Sequence, residues 1–269
     1  MFDLLKTDLK RVLKDKLFLV LCIVAAVFAL SGPLLYKGLD VLMGNDALMV
    51  MGIFTAKDLF FRSFLPGDNL GLVAPVLVAI VLCKDFSHGT VRNKVICGKS
   101  RTQIFLAMLL TCVIVMCAVM LISGLITLLF ALMFFEYQQE AFTWKDFGYL
   151  LLSIGFEMLV YCFISAMLVF LCVSMKNVGL VIVLYVAAAF LFTIIGAVTM
   201  IAVEFPDEMS KLAYEILSFC NSANLFSSTV IGGGSYGWKE LLYILTPSVG
   251  GTALFTWLGI CIFKKKDLK

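Results

Sequence analysis

Residues Ile104–Phe135 read IFLAMLLTCVIVMCAVMLISGLITLLFALMFF, without one charged side chain. A soluble domain cannot hide such a run in one core, whereas a helical membrane crossing needs about 20 apolar residues. The apolar residues follow one another instead of alternating, which argues against the two-residue period of a transmembrane β-barrel. The composition agrees: 62% of the 269 residues are hydrophobic and 14% charged, against roughly 45–50% and about 25% in soluble domains. The expectation is an all-α membrane protein, one polytopic domain over residues 1–269.

Working outward from this run, five more apolar stretches lie at 17–35, 64–83, 147–173, 178–203 and 241–263, which predicts six transmembrane helices. The second is weak. Its clean part, Leu70–Cys83, covers about 21 Å at ~1.5 Å per residue, short of the ~30 Å hydrocarbon layer, and contains Pro75. It either recruits Phe64 and Leu65 across Pro66-Gly67-Asp68 or is a short, partly buried helix. The N-terminal run is longer than the 7–15 apolar residues of a signal peptide, so it is expected to remain as a span.

Charge sets the orientation. Most of the 21 Lys and Arg residues fall before the first run, between the second and third, and after the sixth. The positive-inside rule places those segments, and with them both termini, in the cytoplasm. Nine cysteines are present, but most sit inside apolar runs, where they read as small hydrophobes. A single histidine, His88, excludes a His-based metal cluster.

Four segments carry candidate function. In Met1–Lys16, Phe2, Leu5, Leu9 and Leu13 recur at helical spacing with Lys6, Lys10, Arg11 and Lys14 between them. That pattern predicts an interfacial helix, apolar side toward lipid. In the loop Lys84–Gln103, Gly89-Thr90 closes one helix and opens another, Val91–Cys97 forms a short helix stopped by Gly98, and Ser100 through Gln103 caps the third span. Arg92 and Lys94 would then be offered to a soluble partner. Gly98-Lys99-Ser100 does not form a phosphate-binding loop, because Asn93 stands where its first glycine belongs and no strand precedes it. Any ATP hydrolysis therefore belongs to another polypeptide.

In the fourth span, Ser153, Glu157, Tyr161 and Ser165 form a polar stripe. An ionisable group there costs at least ~2.5 kcal/mol to insert, so Glu157 either lines a transport path or is an interhelical hydrogen-bonding group or protonated acid held by packing. The outer segment Glu204–Glu240 contains the apolar stretch Leu212–Ile231, which suits either a helical hairpin dipping toward the bilayer or a folded ectoloop.

These parts, in this order, resemble the ABC type-2 permease family, the transmembrane subunits of ATP-binding-cassette exporters. The residue-level likeness lies in Asp85-Phe-Ser-His-Gly-Thr-Val-Arg followed by Ser100-Arg101. Gly98 stands where the family more often has proline. The resemblance implies that Met1–Lys16 is an elbow helix, Val91–Cys97 a coupling helix and Glu204–Glu240 re-entrant outer helices. It further implies a dimer of permeases, with a same or homologous second chain, bound to two ATPase subunits that carry ATP and Mg. Asp85, Gly89, Thr90, Arg92, Lys94 and Arg101 are the positions expected at the ATPase contact. No cofactor on this chain and no nucleic acid is implied. The expected cargo is hydrophobic or amphipathic, an antimicrobial peptide or drug, exported across the bacterial plasma membrane. A proton-coupled carrier using Glu157, and a membrane sensor or scaffold docking a cytoplasmic protein, are the competing classes.

Overall fold

The computed structural model describes residues 2–43, 55–66, 69–87, 89–137, 143–175, 177–204, 210–226 and 238–266. Among them every regular element is a helix: α1 (Phe2–Lys14), α2 (Lys16–Met43), α3 (Ala56–Arg62), α4 (Asn69–Ser87), α5 (Thr90–Ile96), α6 (Arg101–Phe134), α7 (Trp144–Met175), α8 (Val178–Glu204), α9 (Lys211–Ala223) and α10 (Trp238–Lys265). Five of them, α2, α6, α7, α8 and α10, are long and apolar enough to cross a membrane. α4 joins α5 through a 50° bend, and only as a bent pair do the two meet the same test.

Of the two readings of the second stretch, 64–83, the recruitment of Phe64 and Leu65 is corrected, and a separate helix is present. Phe64 and Leu65 stay in the turn after α3, and the helix begins at Asn69. Phe64 instead packs inward, 1% exposed, edge-on to Phe60 at 4.7 Å between ring centres. The first span runs past its expected end at Leu35 to Met43, straight through Pro33. Proline is tolerated in membrane helices where nearby hydroxyls and backbone re-satisfy the freed groups, and Thr127 Oγ1 of α6 donates at 3.2 Å to the Ala29 carbonyl, the one that Pro33 leaves without its amide.

α3 was not foreseen. Thr55 and Asp58 make a reciprocal capping box at its start, and the amides of Ala56 and Lys57 donate to the carbonyls of Glu136 and Tyr137 at 3.0 and 3.1 Å. Its start is thereby tied to the chain leaving α6.

Burial separates a centre from a rim. In the most apolar stretch of α6 and of α7, 61% of residues are buried, against 22% in α2 and 17% in α8 and α10. The exposed residues of α8 include Val183, Phe190, Leu191, Ile194, Val198 and Ile201, a surface suited to hydrocarbon rather than water. Glycines set the close approaches in the bundle. A Cβ on Gly124 would overlap the Phe64 ring, one on Gly251 the Phe163 ring, and one on Gly259 the Phe105 ring. α10 thus lies against α7 and α6 by seating their aromatic rings over bare backbone, the role small residues play in membrane bundles. All nine cysteines are free, with Cys83 and Cys172 touching at 3.5 Å between sulfurs.

Candidate functional site

Two glycines shape the connection between α4 and α6. Gly89 holds φ +68° and Gly98 φ +78°, left-handed values that cost other residues about 1–2 kcal/mol. The Gly89 amide donates to the Phe86 carbonyl at 3.3 Å, and the Gly89 carbonyl accepts from the Asn93 amide at 3.0 Å, turning the chain from α4 into α5. At the far end the Gly98 amide donates to the Val95 carbonyl at 3.0 Å and the Lys99 amide to the Lys94 carbonyl at 3.3 Å, the paired closure of a Schellman stop. The Gln103 amide then donates to Ser100 Oγ at 3.3 Å and starts α6. Seven residues are in this way held as a helix with both ends fixed.

Burial decides which side of α5 faces out. Val91 is 1% exposed and anchors the helix in the body. Arg92, Asn93, Ile96 and Cys97 are exposed. Thr90 and Gly89 are half-buried at the bend, and His88 lies outside the described residues.

Lys94 does not point outward as the sequence suggested. Its Nζ donates to both Asp8 oxygens, at 2.6 and 2.7 Å. Asp8 in turn lies 3.7 Å from Arg11, and Arg11 donates to the Asp85 carboxylate. Lys94, Asp8, Arg11 and Asp85 form a charge-balanced chain joining α5, α1 and α4, with Asp8 3% and Asp85 5% exposed. Lys84 adds a pair with Asp15 at 3.5 Å. Removing one partner of a buried pair costs about 3–5 kcal/mol, because a lone charge stays behind. α1 is therefore fastened to α5.

Arg101 also turns inward. Its Nη1 donates to the carbonyls of Phe263 and Lys264 at 3.0 Å each, and of Lys266 at 2.6 Å. These are among the last carbonyls at the end of α10, which lack partners within the helix and carry the negative end of its dipole. Lys266 Nζ does the same for the end of α7, donating to the carbonyls of Val173 and Ser174. Of the six positions expected at a partner contact, Asp85, Lys94 and Arg101 are committed to contacts within the chain. Gly89 and Thr90 build the turn, and Arg92 is exposed on α5.

Sequence reasoning missed Asp8, the hub of this network. The available signal was its spacing: Leu4, Asp8 and Val12 share one face of α1, and that is the buried face. The stripe read from the sequence lies beside it, with Phe2 80% and Leu13 52% exposed and Leu5 and Leu9 half-buried. Together these contacts gather α1, α5 and the ends of α7 and α10 at one end of the bundle, where the basic residues are concentrated.

The polar stripe of α7 lies in the interior. Ser153 donates to the Tyr149 carbonyl at 2.8 Å, Tyr161 Oη donates to the Phe64 carbonyl at 3.2 Å, and Ser165 is fully buried. Glu157 is 0% exposed, and neither carboxyl oxygen has a hydrogen-bond partner. In the outer segment the structure describes one helix, α9, which packs on α8 and α10 without burying any residue fully. The remainder of the expected Leu212–Ile231 stretch falls largely outside the described residues. No group of three or more His, Cys, Asp or Glu suited to a metal occurs among the described residues.

Long apolar helices around a buried helical pair, with charges collected at one end, define a multi-pass all-α membrane protein. The chain belongs to DUF2705, a family described as proteins of unknown function, whose model matches residues 48–269 and takes in α3 through α10. Among curated proteins none matches the chain.

Proposed function

We propose that this chain is the membrane permease of an ATP-driven exporter, with α5 as the element through which a separate ATPase drives it. The observation that carries this reading is α5 itself: a rigid seven-residue helix closed by two left-handed glycines, anchored by Val91 and presenting Arg92, Asn93 and Ile96 outward. A helix meant to transmit a push has to be stiff and joined to what moves. The Lys94–Asp8–Arg11–Asp85 chain supplies the joint to α1 and α4. In this reading the basic end is cytoplasmic, α1 is the elbow helix, α4 completes a sixth crossing, and two permeases pair with two ATPase subunits that hold ATP and Mg. ATP-driven closure of the motor would shift the paired permeases between two arrangements with different affinity for a hydrophobic or amphipathic cargo.

Expression in the native bacterial host with a tag on this chain tests the reading. An ATPase subunit co-purifies with the wild type and is lost with Gly89→Pro plus Arg92→Glu, while the variant still elutes as a folded species. Co-purification of another class of cytoplasmic protein at the same surface supports a sensor or scaffold instead.

The unpartnered carboxyl of Glu157 favours one second reading, a proton-coupled carrier. Transport abolished by Glu157→Gln and indifferent to ATP depletion distinguishes it from the exporter.

A further inference from the structure

The apolar runs Leu17–Leu35, Leu70–Cys83, Ile104–Phe135, Phe147–Val173, Val178–Val203 and Leu241–Phe263 contain between them a single Asp, Glu, Lys or Arg, and it is Glu157. Its side chain is fully buried, and neither carboxyl oxygen is bonded. Ionisable groups kept inside a membrane protein face the bundle interior or a path and act with a partner. For Glu157 that partner is a proton or a group from outside the chain.

The surroundings decide between them. Tyr161, one turn further along α7, lies about 21 Å from the end of that helix at Met175 at ~1.5 Å per residue, near its middle. Its hydroxyl donates to the Phe64 carbonyl at 3.2 Å. Phe64 belongs to the turn between α3 and α4, so non-helical backbone stands deep in the bundle beside the polar stripe. The Phe64 ring meets Gly124 of α6, which sets this turn between α6 and α7. Interrupted helices at such depth are tolerated only when buried in protein or lining a cavity, and they recur as substrate sites in membrane transporters.

The side chains at the interruption are aromatic. Phe60, Phe61, Phe64 and Tyr161 are all buried, and the Phe60 ring stands 4.7 Å from that of Phe64 and 5.4 Å from that of Phe61. A carboxylate next to aromatic rings attracts an organic cation twice, through its charge and through the ring quadrupoles. A hard metal ion takes about six or more oxygen ligands, and no second acid lies in these runs to supply them. An anionic ligand finds no Lys or Arg there to pair with.

We propose that Glu157 and the aromatic turn at Phe64 receive a lipophilic organic cation, which makes the cargo an amphiphile with one positive charge. The inference rests on the exporter reading, whose second arrangement opens the stripe that is closed here. The tagged chain is purified from its host in a neutral maltoside detergent, together with whatever subunits co-elute. Without ATP it is dialysed to equilibrium against radiolabelled tetraphenylphosphonium. Tetraphenylborate, an anion of nearly the same shape, controls for apolar binding, and replacing N-methylglucamine chloride by sodium chloride controls for inorganic cations.

Tetraphenylphosphonium binds in preference to tetraphenylborate. Glu157→Gln lowers its affinity about tenfold or more, the worth of an opposite charge a few ångströms away, and leaves the borate unchanged. Glu157→Asp keeps the charge and with it the preference. Equal binding of the phosphonium by wild type and Glu157→Gln overturns the proposal and leaves the carboxyl to a proton. Equal binding of the two probes by the wild type overturns it as well, and so does displacement of the phosphonium by sodium at equal concentration. Loss of binding in both Glu157→Gln and Glu157→Asp marks a packing role and has the same consequence. Charge-selective binding with no ATPase in the eluate keeps the site and rejects the exporter, whereas an ATPase in the eluate without binding keeps the exporter and rejects the site.

Discussion

Asp8 and Thr111 are both buried polar residues, 3% exposed each, and they are satisfied in opposite ways. Asp8, at the basic end, reaches across to Lys94 on another helix. Thr111, in the apolar body, donates back to the Ala107 carbonyl of its own helix at 2.8 Å. The contrast is general. At the basic end Arg11, Arg101 and Lys266 all bridge separate helices. In the body Ser153, Thr193, Ser248 and Thr252 bond the carbonyl four residues back, while Thr127 and Tyr161 are exceptions that cross over. Where headgroups and water are near, charges can be brought together at modest cost, and pairing specifies which helix meets which. In hydrocarbon a hydroxyl turned on its own backbone is safe but says nothing about neighbours. There the specification passes to shape, chiefly to phenylalanine rings seated over Gly124, Gly251 and Gly259.

The largest expected effect attacks the charged end. Asp8→Ala strands Lys94, while Arg11 keeps Asp85, and should cost about 3–5 kcal/mol, seen as a lowered Tm in detergent and faster amide exchange in α1 and α5. Asp8→Leu combined with Lys94→Met should recover most of that loss, and a failure to recover would show that Arg11 and Asp85 matter more than the Lys94 pair. Next comes the apolar lock. Gly259→Val drives a side chain into the Phe105 ring and should cost about 1–3 kcal/mol by overpacking, with partial rescue by Phe105→Ala in a double-mutant cycle. The smallest effect is expected where a hydroxyl serves only its own helix: Thr111→Val should lie within about 0.5 kcal/mol of wild type, since the Ala107 carbonyl keeps its backbone partner. A Thr111→Val loss as large as that of Gly259→Val would erase the distinction between the two regions.

Much of the body was legible because a long apolar run has few alternatives. The ends of α6, α7, α8 and α10 fall within three residues of the runs that predicted them, and Gly89, Gly98 and Ser100 marked the bounds of α5 and the start of α6 because their chemistry is local. What was not legible depended on distant partners. Basic residues were weighed by which side of the membrane they mark, and that count is blind to Lys94 being taken by Asp8 from 86 residues away. Arg101 looked like a surface cation until the end of α10 came under it. The first span was ended at Leu35, where the apolar run stops, but the helix continues to Met43 because turns beyond the apolar run still keep their own backbone bonds.

The Arg101 contact also has a schedule. Its carbonyl partner on Phe263 lies 162 residues later in the chain, which at about 5–20 residues per second is roughly 8–30 s of translation. During that interval the guanidinium waits without its final acceptors, and α6 stands in place before the helix that will close against it. Joining these distant segments late makes the basic end the last part of the molecule to set, and any damage to α10 should leave behind an unfinished but already inserted protein.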